Sequence, residues 1–358
     1  MKKIVKLCAC TLLFCALPGG AMELLLPSSM DAPYTFKIEV LQVTDIEPYQ
    51  QSLDGFLKTL QDNEIVQGKN LQINRVKIDF DVEKGGFWDK FGVLLRIRHE
   101  AERITRAKPD LVLTIGSTAT KYSRAILDDA HIPVVFTAVA NPQDAGCTSL
   151  VDAGSGVTGA TLYMDMSDSM KMVNQIFPAV QKIGMIHTDD VNGIAHVENA
   201  RASAKKLDIT ISSKLVDKRD DIIPSLKELF KDGSGAQMFA VPLDTYYGLR
   251  NYEPTRDLSD FAFEYKIPVI TFAMVRVPGA SLYIGADFGV IGNLSGLQAV
   301  KILKMHKKPD VLPILRQQNP TILIDPERMS ALNISLPGSI LERKSLRNDG
   351  FWQIGAGQ

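Results

Sequence analysis

Asp110-Leu-Val-Leu-Thr-Ile-Gly-Ser-Thr-Ala-Thr120 is the stretch of sequence that decides the fold, together with Ile132-Pro-Val-Val-Phe-Thr-Ala-Val-Ala-Asn-Pro142. Each stretch begins as a short apolar run without helical periodicity and is bounded by Pro, Gly or Asp. Such runs are typical of strands that are buried on both faces of a parallel sheet. Residues 118–129 between them are good helix formers, so the sequence predicts a strand–helix–strand unit.

Small polar side chains follow both predicted strands, and in an open parallel sheet ligands bind just beyond the carboxyl ends of the strands. The first turn of the intervening helix would also direct free backbone N–H groups into this space, which suits a carboxylate or a phosphate. The candidate ligand contacts here are Ser117, Thr118, Thr137 and Asn141. A structural role is the alternative, because Ser117 and Thr118 can cap the helix and Asn141 can be a turn residue.

The composition is that of an ordinary globular protein. With 358 residues, 45% of them hydrophobic, the chain is long enough for two domains with packed cores. The formal charge of −1 provides no electrostatic reason to expect nucleic acid or an anionic membrane surface as a partner.

Residues 1–21 have the features of an export signal, which predicts a periplasmic protein. Lysines precede the apolar run Leu7–Leu17, and Ala21 precedes the expected cleavage site. The run is too short to cross a bilayer as a permanent helix. A lipoprotein signal is the less favoured alternative, since Leu7-Cys-Ala-Cys10 resembles a lipobox.

Neither a metal nor a cofactor is expected. Removal of the signal would leave Cys147 as the sole cysteine, which excludes an internal disulfide and a Cys-x-x-Cys site. The histidines lack metal-ligand spacing. Gly154-Ser-Gly-Val-Thr-Gly159 fits a dinucleotide-binding pattern, but it runs into a strand-like segment where that fold needs a helix.

Predicted strands and helices alternate along the chain, first from Phe36–Thr44 to Pro142 and again from Gly156 onward. Alternation of this kind indicates βαβ units on parallel sheets. The stretch 266–273 repeats the pattern of 131–138, which indicates two similar lobes. The C-terminal elements are too few for a third domain, so they are expected to be shared between the lobes.

The predicted fold class is therefore α/β, with two Rossmann-like lobes whose parallel sheets are joined by a multi-strand hinge. Residues 34–142 and about 277–308 are assigned to the first lobe, and residues 143–276 and about 309–348 to the second. A cleft between hinged lobes is a place to bind a small ligand.

Further candidates for ligand contact follow other predicted strands, and a planar ligand would also need aromatic rings beside it. His187 is equally consistent with a satisfied interior imidazole, and a core or surface position is the favoured alternative for each aromatic residue. These candidates are Thr44, His187 and Asp189, and the aromatic residues Trp88, Tyr246 and Phe272.

An ordered set of short motifs resembles the ABC transporter substrate-binding family of the tryptophan/tyrosine type, which has the type I periplasmic binding fold. The resemblance extends over roughly Phe36 to Leu341. The motifs are Ile115-Gly-Ser-Thr-Ala, Pro133-Val-Val-Phe-Thr-Ala-Val-Ala-Asn-Pro142, Gly156-Val-Thr-Gly159, Val241-Pro-Leu-Asp-Thr245, Ile267-Pro-Val-Ile-Thr-Phe272 and Gly285-Ala-Asp-Phe-Gly-Val-Ile-Gly292.

The resemblance implies a non-catalytic receptor that closes on an amino acid or a related aromatic compound and delivers it to a membrane permease. The protein is expected to be a monomer. It places the carboxylate at Ser117 and Thr118 and the ammonium at an acid such as Asp287, and it adds Asp244 and Thr245 to the site. Asp244 and Asp287 could instead be helix caps or hinge groups. The chain departs from the family pattern at Asn141, where Asp is usual, and at Ala273-Met274, where Ser-Asp is common.

Two other functions remain as alternatives. The same two-lobed module could present its ligand to a membrane kinase or chemoreceptor and so act as a sensor. An enzyme is disfavoured, because no nucleophile and base occur at a readable spacing.

Overall fold

The computed structural model describes residues 34–78, 87–217, 220–274 and 277–355 and, among these, all side chains except those of residues 87–90. The predicted export signal, residues 1–21, lies outside the described residues. Within the described ranges, no helix has the length and apolar character that a membrane span requires.

Strands and helices alternate through most of the described chain, with short 3-10 turns between some of them. The strands are β1 Phe36–Gln42, β2 Leu71–Lys77, β3 Leu111–Ile115, β4 Val134–Val139, β5 Val157–Thr161, β6 Lys182–His187, β7 Thr210–Leu215, β8 Met238–Val241, β9 Val269–Thr271, β10 Leu282–Gly285, β11 Leu315–Arg316, β12 Thr321–Ile324, β13 Lys344–Leu346 and β14 Trp352–Ile354. The helices are α1 Glu47–Asp62, α2 Phe87–Ala107, α3 Ser117–Asp129, α4 Met166–Ile176, α5 Val191–Ala204, α6 Ile223–Phe230, α7 Glu253–Glu264, α8 Phe288–Leu303, α9 Pro326–Ala331 and α10 Gly338–Leu341.

The first lobe is built on a 6-stranded parallel sheet with the order β11-β5-β4-β3-β1-β2. Helices α1 and α8 cover one face of this sheet, and α2 and α3 cover the other. All five residues of β3 are buried, because Leu111 and Leu113 pack toward α1 while Val112 packs toward α3. Because helices cover both faces of the sheet, every residue of this strand is buried, which explains the continuous apolar run in the sequence.

The second lobe is built on an 8-stranded sheet with the order β13-β14-β12-β10-β9-β8-β6-β7. The strands from β7 to β10 pair in parallel, which confirms the predicted pair of Rossmann-like lobes. Beyond β10 the pairing is antiparallel, a feature that the sequence analysis did not predict. Helices α4 and α5 pack on one face of the sheet, and α6 and α7 pack on the other.

The described chain passes between the lobes at three places: residues 162–165, 286–287 and 317–320. The Asp287 backbone N–H donates to the Gln317 side-chain oxygen at 2.9 Å, so the second and third connections are hydrogen-bonded to each other. Several short connections between two lobes allow the lobes to rotate as rigid bodies, and we refer to these three connections as the hinge.

Strand pairing differs from the predicted lobe boundaries at three strands. The prediction assigned β5 and β11 to the second lobe, whereas both pair within the sheet of the first lobe. It assigned β10 to the first lobe, whereas β10 pairs with β9 and β12 of the second. The reason is that βαβ periodicity shows where a strand occurs but not which sheet edge it joins.

Helices α1 and α8 approach so closely that their backbones touch. A Cβ atom on Gly55 would overlap the carbonyl oxygen of Gly289, and one on Gly292 would overlap that of Ser52. The Ser52 hydroxyl donates to the Phe288 carbonyl at 3.0 Å across the same contact. The glycines are therefore required at this contact, which holds the start of α8 against the first lobe.

We predict that Gly292→Ala destabilises the protein, because the added methyl group forces the two helices apart. The loss in the free energy of unfolding should be about 1–3 kcal/mol, even though alanine favours a helix. Gly92→Ala in α2 is the matched control, since in the described structure a Cβ there has nothing within 4 Å, and it should be neutral or stabilising by up to about 1 kcal/mol. Urea unfolding of both variants measures the difference, and equal stability of the two would contradict the packing argument.

Candidate functional site

A cavity lies between the two lobes, at the carboxyl ends of the parallel strands. Its empty volume is about 600 Å³, including the part that opens to solvent. We call it the cleft cavity. The first lobe contributes Ile46, Pro48, Tyr49, Ala138 and Phe288, and the hinge contributes Leu162. The second lobe contributes Asn192, residues 241–245, Tyr247, Gly248, Thr271, Ala273 and Val277.

The wall from the first lobe is organised around the turn between β3 and α3. Gly116 has φ +89°, and a Cβ atom there would lie 2.5 Å from the Tyr49 hydroxyl, so this position requires glycine for two reasons. Helix α3 begins at Ser117, and no described side chain caps its first N–H groups. They remain available for an anion.

Burial of the Tyr49 hydroxyl and the charge of Asp190 raise its pKa well above the usual range, so Tyr49 stays neutral.

Strand β4 is distorted where it reaches the cavity. Its register with β5 shifts between Phe136 and Val139, and Ala138 adopts φ +54°, an uncommon conformation for a residue with a side chain. This distortion turns Ala138 into the cavity wall. The neighbouring Thr137 hydroxyl is fully buried and has no hydrogen-bond partner among the described residues. Irregular backbone and an unsatisfied hydroxyl are features that concentrate at functional sites.

In the wall from the second lobe, Asp244 has a structural role. Its carboxylate accepts from the Thr188 backbone N–H at 2.7 Å, from the Thr188 hydroxyl at 3.0 Å and from the Tyr246 backbone N–H at 2.9 Å. These bonds join the ends of β6 and β8. The Asp244 carboxylate therefore has little acceptor capacity left for a ligand, although it lines the cavity.

A chain of hydrogen bonds runs from the second lobe to the first at the cavity. The Thr245 hydroxyl donates to one Asp190 oxygen at 2.9 Å, and the Asn192 backbone N–H donates to the other at 2.9 Å. The Ser117 hydroxyl then donates to the Asn192 side-chain oxygen at 3.4 Å, which connects the start of α3 with the start of α5. Asp190 thus lies at the junction of the lobes, half-buried, with one hydrogen bond to each carboxylate oxygen.

A second contact between the lobes involves Tyr252 and Glu47. The Tyr252 hydroxyl donates to the Glu47 carboxylate at 3.1 Å. Burial and the Glu47 charge raise the pKa of Tyr252 to about 12, so the phenol keeps its proton at neutral pH and can make this bond. Together with the Ser117–Asn192 bond, it shows that the lobes touch in this structure.

Behind the cleft cavity lies a smaller space that shares four of its wall residues, Leu162, Leu243, Ala273 and Phe288. We call it the inner chamber. Its empty volume is about 360 Å³, including the part that opens to solvent. Its other wall residues are Met164, Met166, Ser169, His196, Phe272, Gly285 and Ala286. Most of these side chains are apolar, and Ser169 and His196 are the polar ones among them.

His196 is held in one neutral form in the chamber wall. The Leu243 backbone N–H donates to its Nδ1 at 3.2 Å, so Nδ1 carries no proton and the neutral ring carries it on Nε2. Burial lowers the pKa of His196 from 6.5 to about 4, against the opposing charge of Asp190. The imidazole is thus uncharged at physiological pH.

The structure brings together some of the candidates from the sequence. Asp244 and Thr245 line the cleft cavity, Phe272 lines the inner chamber, and Ser117 and Thr137 lie beside these walls. Other candidates line neither space among the described residues. They are Thr44, Thr118, Asn141, His187 and Asp189. Asn141 accepts from the Gln143 N–H in a turn, and the His187 Nδ1 lies 2.9 Å from the Thr188 carbonyl oxygen.

The remaining candidates occupy other environments. Tyr246 is fully buried in the core of the second lobe, because the 3-10 turn Thr245–Gly248 directs it inward, and its hydroxyl donates to the Asp220 carbonyl at 2.9 Å. Asp287 caps α8 by accepting from the Val290 N–H at 3.0 Å, and it lines a separate cavity with Arg347. The side chain of Trp88 lies outside the described residues.

Sequence reasoning missed Tyr49, Asn192 and His196. The Asp190-Val-Asn192 segment carried a usable signal, since an Asp after a strand commonly caps the next helix and so marks a helix start at the strand end. Tyr49 lies in the first turn of α1 and His196 inside α5. No pattern in the sequence distinguishes these positions from ordinary helix residues.

Two α/β lobes that share a polar-rimmed cavity and several hinge connections define a two-lobed solute-binding protein. The model of the family described as ABC transporter substrate binding protein matches residues 37–345. The chain therefore belongs to this family, and it is a binding protein rather than an enzyme, as the sequence analysis predicted.

Comparison with individual proteins is consistent with this assignment. A tyrosine-binding protein of Clostridioides difficile is 25% identical over 300 residues, which cover 83% of this chain and 81% of the relative. An ABC domain from Streptococcus pneumoniae, solved in complex with L-Trp, superposes with a TM-score of 0.71 at 20% identity over 86% of this chain and 98% of its own. A conserved domain protein from Vibrio cholerae gives a TM-score of 0.72 at 21% identity, with 86% and 98% coverage.

We predict that His196 makes the folded state less stable in acid. Its pKa is lower in the folded state than in the unfolded chain, so the unfolded chain takes up the proton first as the pH falls through 6.5. Between about pH 7 and about pH 4.5 this difference should remove about 2–3 kcal/mol from the free energy of unfolding. His196→Asn keeps an acceptor for the Leu243 N–H but cannot titrate, so urea unfolding at both pH values should show a smaller loss; an equal loss would contradict the prediction.

Proposed function

We propose that the protein captures an amino acid with an aromatic side chain in the cleft between its lobes and delivers it to an ABC permease in the membrane. One observation carries this proposal: polar groups from both lobes meet at the cleft cavity, and a chamber with mainly apolar side chains in its wall adjoins it. This arrangement complements a ligand with a charged head and an apolar body.

The head of an amino acid needs an anion site and a cation site. The uncapped start of α3 at Ser117 supplies free N–H groups and the positive end of a helix dipole for the carboxylate. Asp190 is the proposed partner of the ammonium, because it accepts only one hydrogen bond on each oxygen and lies at the lobe junction. Asp244 is less suited, since its carboxylate is occupied by Thr188 and Tyr246.

The inner chamber is the proposed site of the aromatic ring. Phe272 and Phe288 offer ring edges and faces, while Met164 and Met166 offer polarizable sulfur, which makes favourable contacts with aromatic rings. The names of the tyrosine-binding relative and of the L-Trp complex support an aromatic amino acid as the ligand class.

Closure of the lobes would follow from this placement. A ligand that binds α3 of the first lobe and Asp190 of the second contacts both lobes only when the cleft is closed. It therefore stabilises the closed state by its extra affinity for that state. A permease can recognise the closed form, which couples delivery to ligand capture.

The proposed location is outside the cytoplasm. Residues 1–21 would act as an export signal, and release into the periplasm is favoured over a lipid anchor. A monomer would suffice for ligand binding there, since both walls of the cleft come from one chain.

We predict that aromatic L-amino acids raise the melting temperature of the purified protein. At a hundredfold excess over the dissociation constant the added stability should be about 2.7 kcal/mol. Asp190→Asn keeps the helix cap but removes the charge, so its affinity for the same amino acids should fall about tenfold or more. Thermal-shift titration and calorimetry measure both effects.

Asp189→Asn is the matched control, since it removes the same charge from the adjacent exposed residue and should bind as the wild type does. Full affinity in Asp190→Asn would refute the assignment of the ammonium site. No shift with any aromatic amino acid, together with a shift by a sugar or nucleoside, would refute the ligand class.

We predict that the ligand-loaded protein stimulates ATP hydrolysis by its ABC permease. Membrane vesicles that carry the permease should hydrolyse ATP faster with the loaded protein than with ligand-free protein or with ligand alone. Stimulation of a membrane histidine kinase in place of ATP hydrolysis would favour the sensor alternative.

A further inference from the structure

We propose that the inner chamber recognises a hydroxyl group on the aromatic ring of the ligand, with His196 as the donor to that oxygen and Ser169 as the acceptor of its proton. The inference rests on the proposed function and deepens it, because it selects a 4-hydroxyphenyl ligand from the class of aromatic amino acids. Both residues lie in the chamber wall, and no candidate from the sequence analysis included them.

His196 presents a hydrogen-bond donor to the chamber. A backbone N–H cannot accept, so the bond from Leu243 to Nδ1 forces the proton of the neutral ring onto Nε2. No described residue accepts a hydrogen bond from Nε2, although the ring lines the chamber. The donor is therefore oriented by the protein and available to a ligand.

Ser169 presents a hydroxyl to the same chamber. It is only 4% exposed, yet its hydroxyl makes no hydrogen bond with the described part of the chain. Its backbone is well anchored, because α4 is capped at its start by Asp165, whose carboxylate accepts from the Ser167 N–H at 2.8 Å. The oxygen is not among the fully buried unpaired atoms, so it is accessible from the chamber, where a ligand can supply the missing hydrogen bond.

The other side chains of the chamber wall are apolar, so these two groups decide which ring finds side-chain hydrogen-bond partners there. A phenol hydroxyl can accept from His196 and donate to Ser169 at once. An indole N–H can only donate, and a plain phenyl ring can do neither and would leave both groups unpaired. Sites that hydrogen-bond a ligand hydroxyl discriminate strongly against the analogue that lacks it.

Calorimetry with matched ligand pairs tests the inference on the wild-type protein. The first pair is L-tyrosine and L-phenylalanine, and the second is 4-hydroxyphenylacetate and phenylacetate, which lacks the ammonium. In each pair the phenol should bind about tenfold or more tightly than the plain ring.

Three variants assign the preference to the two residues. Ser169→Ala removes the acceptor, and His196→Asn keeps an acceptor for Leu243 but is too short to place a donor at the position of Nε2. Each should reduce the preference for the phenol to about threefold or less. His196→Gln places an amide donor near the position of Nε2 and should retain most of the preference. Ser281→Ala is the matched control, because the Ser281 hydroxyl likewise has no partner among the described residues but lines neither space.

The outcomes separate this inference from the proposed function. Equal binding of both members of each pair, or a preference that survives in Ser169→Ala and His196→Asn, overturns the hydroxyl site while amino acid binding stands. Binding of the phenylacetates with a preference for the phenol, without binding of either amino acid, keeps the hydroxyl site and refutes the amino acid proposal. If none of the four compounds binds, both are refuted.

Discussion

The backbone contact between α1 and α8 is the constraint on which the cleft depends. Helix α8 starts directly after a hinge connection and belongs to the first lobe, although the strand before it belongs to the second. The glycines at the contact let α8 lie against α1 with no side chain between them. Tyr49 at the start of α1 and Phe288 at the start of α8 are thereby placed on adjoining walls of the same cavity.

Three acidic residues close to the cleft illustrate how hydrogen bonding sets the role of a carboxylate. Asp244 joins two strand ends, and Asp287 caps α8 while its backbone N–H holds Gln317 of the hinge. Asp190 also caps a helix, and it accepts one hydrogen bond on each carboxylate oxygen at the junction of the lobes. All three follow parallel strands and are equivalent by position in the sequence. Bonding separates Asp190 from Asp244, and position separates it from Asp287: Asp190 is bonded to Asn192 and Thr245 of the cleft cavity, whereas Asp287 lines a separate cavity.

Much of the fold and a smaller part of the site were predictable from the sequence. The apolar runs at Leu111 and Val134 identified buried parallel strands, and the Ile115-Gly-Ser turn identified a helix start at the cleft. Strand ends identify where a site lies, because parallel strands all end at the same edge of their sheet. Asn141 and Asp189 follow strands in the same way, yet local turns and exposure keep them away from the cavity. The inner chamber was not predictable, since its wall residues lie far apart in the chain and its polar groups face inward from helix interiors.

The sequence by itself determined the class of fold, the presence of two lobes and the edge of the first sheet that carries the site, because periodicity and turn chemistry are local properties of the chain. Only the tertiary structure decided which lobe received β5, β10 and β11, and which side chains have unused hydrogen-bonding capacity. The physical reason is that these outcomes depend on partners distant in sequence. The Leu243 N–H orients the His196 ring, and Thr188 donates hydrogen bonds to the Asp244 carboxylate. Both contacts form only when the strands and helices pack.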